Sequence, residues 1–181
     1  MKVTQTGIPG LILIEPDIHG DTRGYFSEAF NEAEFDARVC PLVGRKVKFV
    51  QDNESLSGYG VVRGLHYQKA PYAQAKLVRC VVGRVLDIAL DIREGSPTYG
   101  KHYAVELSEE NHLQLFIDKG FAHAFVVLSP KALFQYKCDE FYHPEAEGGF
   151  NLFDSSLGIE LPIPLEDALV SEKDTHHPNF K

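Results

Sequence analysis

Residues 76–92 read Lys-Leu-Val-Arg-Cys-Val-Val-Gly-Arg-Val-Leu-Asp-Ile-Ala-Leu-Asp-Ile. Two runs rich in β-branched residues, 76–82 and 85–92, flank Gly83-Arg84. Gly followed by another residue suits a type II′ turn, so the segment predicts a β-hairpin. Downstream, further strands are expected at 102–107, 113–117, 121–128 and 132–138, broken at 109–111, 118–120 and 129–130. Upstream, 61–68 reads as another strand. Many short strands with regular turn signals argue for a sandwich or small barrel. A helix is expected over 31–39 with Asn31 as its N-cap, and a short one from Ser171 in a proline-punctuated tail. The chain is thus read as one all-β domain over 1–181 with a few short flanking helices. Its strand core spans roughly 47–138, with a short helical segment near 158–175.

Acidic residues outnumber basic ones by 26 to 18, a formal charge of −8. That sign repels nucleic acid and anionic lipid, so neither is an expected partner. An anionic small molecule remains admissible if arginines and lysines gather locally. No apolar run approaches the roughly 18 residues of a membrane-spanning helix. The first residues lack the apolar centre of a secretory signal. Cys40, Cys80 and Cys138 are an odd number without paired spacing, as expected of free thiols in the cytoplasm.

Strand alternation places Lys76 with Val78, Cys80 and Val82, and His123 with Phe121, Phe125 and Val127. Tyr136 falls with Ala132, Phe134 and Cys138. Polar groups in apolar rows are costly unless paired, which points to a cavity with polar fittings. His66, on the 61–68 strand, can exchange protons near neutrality. Each of these has a commoner structural role as a hydrogen-bonded, amphipathic or snorkelling side chain; it is their grouping on one inner face that argues for the cavity. No metal site is expected, because His66-Tyr67-Gln68 lacks the close His-x-His spacing and His176-His177 are adjacent. No phosphate-cradling or dinucleotide motif is present either, so no cofactor is expected.

Several segments, in order, resemble dTDP-4-dehydrorhamnose 3,5-epimerases: Asp21-Thr22-Arg23-Gly24-Tyr25-Phe26, Phe49-Val50-Gln51-Asp52-Asn53, Arg63-Gly64-Leu65-His66-Tyr67-Gln68, Gln74-Ala75-Lys76-Leu77-Val78-Arg79, Asp91-Ile92-Arg93 with Ser96-Pro97-Thr98-Tyr99-Gly100, and Gly120-Phe121-Ala122-His123-Ala124-Phe125. The resemblance implies a cupin-like jelly-roll barrel, a homodimer, no metal, and a dTDP-linked keto-sugar substrate inverted at C3 and C5. It implies His66 as base, Asp174 as the carboxylate that orients it, Tyr136 as acid on the other face, and Lys76 facing the enolate oxygen. Arg23, Glu28, Gln51, Asn53, Arg63, His123, Tyr142, Glu147 and Lys173 would contact nucleotide, diphosphate and sugar, with Arg23 and Glu28 serving the neighbouring subunit's pocket. An epimerase acting at C3 alone and a non-catalytic sugar-nucleotide-binding module are the alternatives. Arg63 and His66 have opposite strand parity, so a bulge is expected at Gly64. The acid limb of activity is expected below about pH 6.5, lowered further by the pairing with Asp174. Residues 176–181 receive no role.

Overall fold

The computed structural model describes residues 1–181. In chain order the elements are β1 (Lys2–Gln5), β2 (Leu11–Glu15), β3 (His19–Asp21), β4 (Gly24–Phe26), α1 (Glu32–Arg38), α2 (Cys40–Val43), β5 (Gln51–Gly58) and β6 (Val61–Gln68). There follow β7 (Lys76–Val82), β8 (Arg84–Asp91), β9 (His102–Ser108), β10 (Gln114–Ile117), β11 (Phe121–Val127), β12 (Lys131–Cys138), β13 (Glu147–Gly149), β14 (Leu169–Val170) and α3 (Glu172–Thr175). One sheet runs β1-β2-β10-β7-β12-β5; the other runs β13-β6-β11-β8-β9, with β14 added beside β6. β3 and β4 form a ribbon paired only with each other.

Both sheets are apolar on two faces, so the molecule has three layers of core. Between the sheets lie Leu11, Val78, Cys80, Leu115, Ala132 and Phe134 against Val85, Ala89, Leu107, Phe121, Phe125 and Val127. The outer face of the first sheet (Ile12, Ile14, Leu77, Phe116) is covered by Phe35 and Val39 from the α1 region. The outer face of the second (Val62, Leu65, Ile88, Leu90, Ala124, Val126) is covered by Leu152, Leu157 and Ile163 from the tail. Burial on both faces explains why β11 reads as an almost unbroken apolar run. α1 begins where expected: the Asn31 side chain accepts hydrogen bonds from the Ala33 and Glu34 amides at 3.1 and 3.3 Å. Ser171 caps α3 in the same way through the Asp174 amide.

Two expectations are corrected. The strands on either side of Gly83 do not form a hairpin: β7 pairs with β10 and β12, whereas β8 pairs with β11 and β9. Their inward apolar rows meet across the sandwich instead of lying side by side, and Gly83 (φ 77°) carries the chain between sheets. A Cβ there would lie 2.1 Å from the Lys131 carbonyl oxygen. The core is also wider than 47–138, because β2 pairs with β10 and brings β1 with it.

The bulge at Gly64 is present. His123 pairs with His66 and Phe125 with Arg63, so three steps on β6 face two on β11. Val62 and Leu65 therefore both face outward, and Arg63 and His66 both reach the inner cavity. Gly64 sits at φ 117°, and a Cβ would fall 2.3 Å from the His123 carbonyl oxygen. Gly64→Ala is expected to destabilise the protein by roughly 2–5 kcal/mol, from left-handed strain plus overpacking. Gly58→Ala, whose Cβ would meet nothing nearer than 3.9 Å, is the control. Denaturant midpoints that coincide for the two variants would contradict this account of the bulge.

Candidate active site

The polar residues of the inner rows converge on one end of the sandwich. A cavity of about 320 Å³ is lined by Gln51, Asn53, His66, Lys76, Tyr136, Tyr142 and Glu147, among others. A deeper hollow of about 180 Å³ adjoins it and shares His66, Lys76 and Tyr136 while adding Arg63 and His123. The register explains the grouping. Tyr136 on β12 lies opposite Asn53, and Cys138 lies between Gln51 on one side and Lys76 on the other. His66 on β6 lies between His123 and Gly149. His66 thus enters from one sheet, and Lys76 and Tyr136 enter from the other.

His66 Nε2 is 2.6 Å from Asp174 Oδ1, and the Gly64 amide donates to Asp174 Oδ2 at 3.4 Å. α3 folds back on β6 to bring this carboxylate in. With Nε2 engaged, Nδ1 is the ring nitrogen with no protein partner. Burial pulls the His66 pKa down, and the bond to Asp174 only partly opposes this. The net direction agrees with the sequence expectation, but its cause does not: the pairing raises the value, and burial lowers it. Burial also pushes Asp174 up, yet its hydrogen bonds from His66 and Gly64 outweigh that and leave it below the usual carboxylate range.

Lys76 has no hydrogen-bond acceptor, and its ammonium stands 5.9 Å from the centre of the Tyr136 ring. Burial lowers its pKa, while the fields of Asp87 and Glu147 favour the charged form. Burial raises the Tyr136 pKa, keeping the phenol protonated at neutral pH. At the mouth, Glu147 accepts from Lys173 at 2.6 Å and from the Tyr142 hydroxyl at 2.8 Å. Inside, His123 Nε2 is 2.8 Å from Asp87 Oδ2, a fully buried carboxylate. Sequence reading missed Asp87, although its alternation with Val85 and Ala89 marks it as another polar group in an inward row.

Two expected site residues lie elsewhere. Arg23, on the exposed ribbon, is ion-paired with Asp21. Glu28 lines a separate hollow of about 450 Å³ beside Phe26, Asn31 and Phe35. That hollow is larger, but its cations, Arg38 and the Met1 ammonium, are already paired with Glu34 and Asp17, which leaves Glu28 in excess, a poor setting for an anionic ligand. The ribbon also exposes Tyr25 and Phe26 at 61% and 67%. No helix is long and apolar enough to cross a membrane.

A family model for dTDP-4-dehydrorhamnose 3,5-epimerase matches residues 5–181. A Shigella flexneri protein of that name is 52% identical over 180 residues, covering 99% of this chain and 96% of the relative. The crystal structure of a dTDP-6-deoxy-D-glucose-3,5-epimerase from Legionella pneumophila in complex with dTDP-4-keto-L-rhamnose superposes with a TM-score of 0.91. It is 46% identical and covers 98% of this chain and 92% of its own. A 3′-monoepimerase from Streptomyces bikiniensis in complex with dTDP-quinovose also superposes, with a TM-score of 0.87 and 35% identity, over 96% and 85% of the two chains. With its cupin-like jelly roll and near-full-length identity, this chain belongs to the dTDP-4-dehydrorhamnose 3,5-epimerase family.

Proposed function

We propose that the chain inverts C3 and C5 of dTDP-4-dehydro-6-deoxy-D-glucose to give dTDP-4-dehydro-L-rhamnose. The observation that carries this is a cavity with His66 on one wall and Tyr136 and Lys76 on the other. The C4 ketone acidifies the protons on both neighbouring carbons. His66 Nδ1 removes each in turn, with Asp174 holding the ring through Nε2. Charge passes to the ketone oxygen as an enolate, which the Lys76 ammonium and Arg63 stabilise. Tyr136 returns a proton to the carbon from the opposite face, and the configuration inverts; solvent then takes the proton from His66 and reprotonates Tyr136 before the second carbon reacts. Hydrogen leaves and returns as a proton, so the reaction calls for no redox cofactor. Gln51, Asn53, His123, Tyr142, Glu147 and Lys173 contact the sugar and diphosphate. The compartment we assign is the cytoplasm, in keeping with three free buried thiols.

The direct test is proton NMR of that substrate with enzyme in D2O. Deuterium is expected at both C3 and C5. Exchange at C3 alone would replace the proposal with a single epimerase, and no exchange despite binding would leave a binding module. The identity of 52% to a double epimerase against 35% to a monoepimerase favours the double reaction.

We further propose a homodimer in which the β3–β4 ribbon crosses to the partner and places Arg23, with Glu28 behind it, at the partner's cavity. The support is a ribbon that pairs with neither sheet and exposes two aromatic rings. Arg23→Ala and His66→Ala, each inactive alone, are expected to regain roughly a quarter of wild-type activity when mixed and allowed to exchange subunits, since half the dimers would then carry one intact site. A mixture as inactive as its components would remove the shared site.

A further inference from the structure

Residues 176–181 are docked firmly. The Asn151 amide donates to the Pro178 carbonyl at 2.8 Å, and the Phe180 amide donates to Asp154 at 2.7 Å. Phe180 packs edge-on against Phe150. This clamp seats the His177 ring over Gly149, the residue opposite His66 on β13. A Cβ on Gly149 would fall 2.4 Å from His177 Nε2, so the ring occupies the space that only glycine leaves open. His177 Nε2 is buried, makes no hydrogen bond, and lies 3.4 Å from Asp174 Oδ1. That is the same oxygen that holds His66 Nε2 at 2.6 Å. The three donor atoms all lie within 4.8 Å of one another.

We propose that His66 Nε2, Asp174 Oδ1 and His177 Nε2 form a site for a zinc-type divalent cation, and that its occupancy switches off catalysis. Two imidazoles and a carboxylate are a zinc ligand set, with a fourth position left for water. Nitrogen donors disfavour magnesium and calcium. Metal–ligand bonds of about 2.1 Å place tetrahedral ligands about 3.4 Å apart, which is already the spacing between His177 and Asp174. His66 and Asp174 are closer because a proton lies between them, and they need to part by less than about 1 Å, while the two histidine nitrogens, within 4.8 Å of each other, close by up to about 1.4 Å on the ion.

The inhibitory step rests on the reading of His66 as base. In the free enzyme the one proton of the neutral imidazole sits on Nε2, and Nδ1 offers its lone pair to the cavity. A cation on Nε2 moves that proton to Nδ1. An Nδ1–H cannot accept a proton from the sugar. No proton is released at His66 in this exchange; the ring changes tautomer and the base is lost.

The test uses metal-stripped full-length protein, with Co2+ as spectroscopic probe and buffered Zn2+ as competitor. Wild type is expected to bind one Co2+ without a thiolate charge-transfer band, to lose it to Zn2+, and to lose epimerase activity in step with occupancy. His177→Phe, which keeps a ring over Gly149, and His177→Ala are both expected to weaken binding and inhibition at least about tenfold. Their metal-free turnover is expected to stay within about twofold of wild type. Equal affinity in wild type and both variants, a thiolate band, or no stoichiometric binding would overturn the site. Binding that depends on His177 but leaves activity intact would uphold the cation site and overturn its hold over the base.

Discussion

His66→Ala is expected to lower turnover by about 10²–10⁴-fold and to stop deuterium entering the substrate at C3 and at C5 together. The joint loss follows from geometry. One imidazole nitrogen without a protein partner faces the cavity from the second sheet, and both acidified carbons flank the same ketone, so a single base must serve both. Survival of exchange at either carbon would require a second base and would defeat this assignment. The pH dependence sharpens the test. Burial lowers the His66 pKa below its ordinary value, so the acid limb of kcat/KM is expected below about pH 6.5, with the base present above it and lost as pH falls. Asp174→Asn removes the charge that favours the imidazolium, so the limb should move further down. The plateau should fall too, because an amide no longer fixes the tautomer with Nε2 protonated. A limb that moves up in Asp174→Asn would show that the Asp174 carboxylate does not favour the imidazolium.

Period-two alternation found the inward faces of β7, β11 and β12, because the apolar rows between the sheets leave Lys76, His123 and Tyr136 as the polar exceptions. Parity also located the bulge: Arg63 and His66 could not share a cavity without an extra residue, and Gly64 alone tolerates the close approach to β11. Alternation says nothing about which strands pair, however. Gly83 satisfies a hairpin turn and a sheet-crossing corner equally well, and only the packing of two apolar rows across the sandwich decides between them. In the tail, residue pattern was silent for a related reason, and only the family resemblance singled out Asp174. Asp174 and His177 acquire meaning through α3 folding back on β6, a contact spanning more than a hundred residues of sequence. Without that contact, an aspartate and a histidine in a polar tail read as solvated side chains.

Tyr136→Phe is expected to separate the two halves of the reaction. Product formation should fall by about 10²–10⁴-fold, while deuterium still enters the unchanged substrate at C3 and C5 with its configuration retained. The reason lies in which wall each group occupies. Tyr136 projects from the first sheet and His66 from the second, so removing the phenol leaves proton abstraction and return intact on the His66 face. His66 is half-buried and not sealed, so its proton can exchange with solvent before it returns. A phenylalanine also keeps a ring beside the Lys76 ammonium, which now stands 5.9 Å from the Tyr136 ring centre, so the enolate's cationic partner is preserved. Lys76→Met provides the contrast. It removes stabilisation of the enolate that both halves share, so exchange and inversion should fall together, by about 10²–10³-fold. Were Tyr136→Phe to depress exchange and inversion equally, the phenol would act on the enolate as Lys76 does, and the proton for the opposite face would have to come from another group or from water.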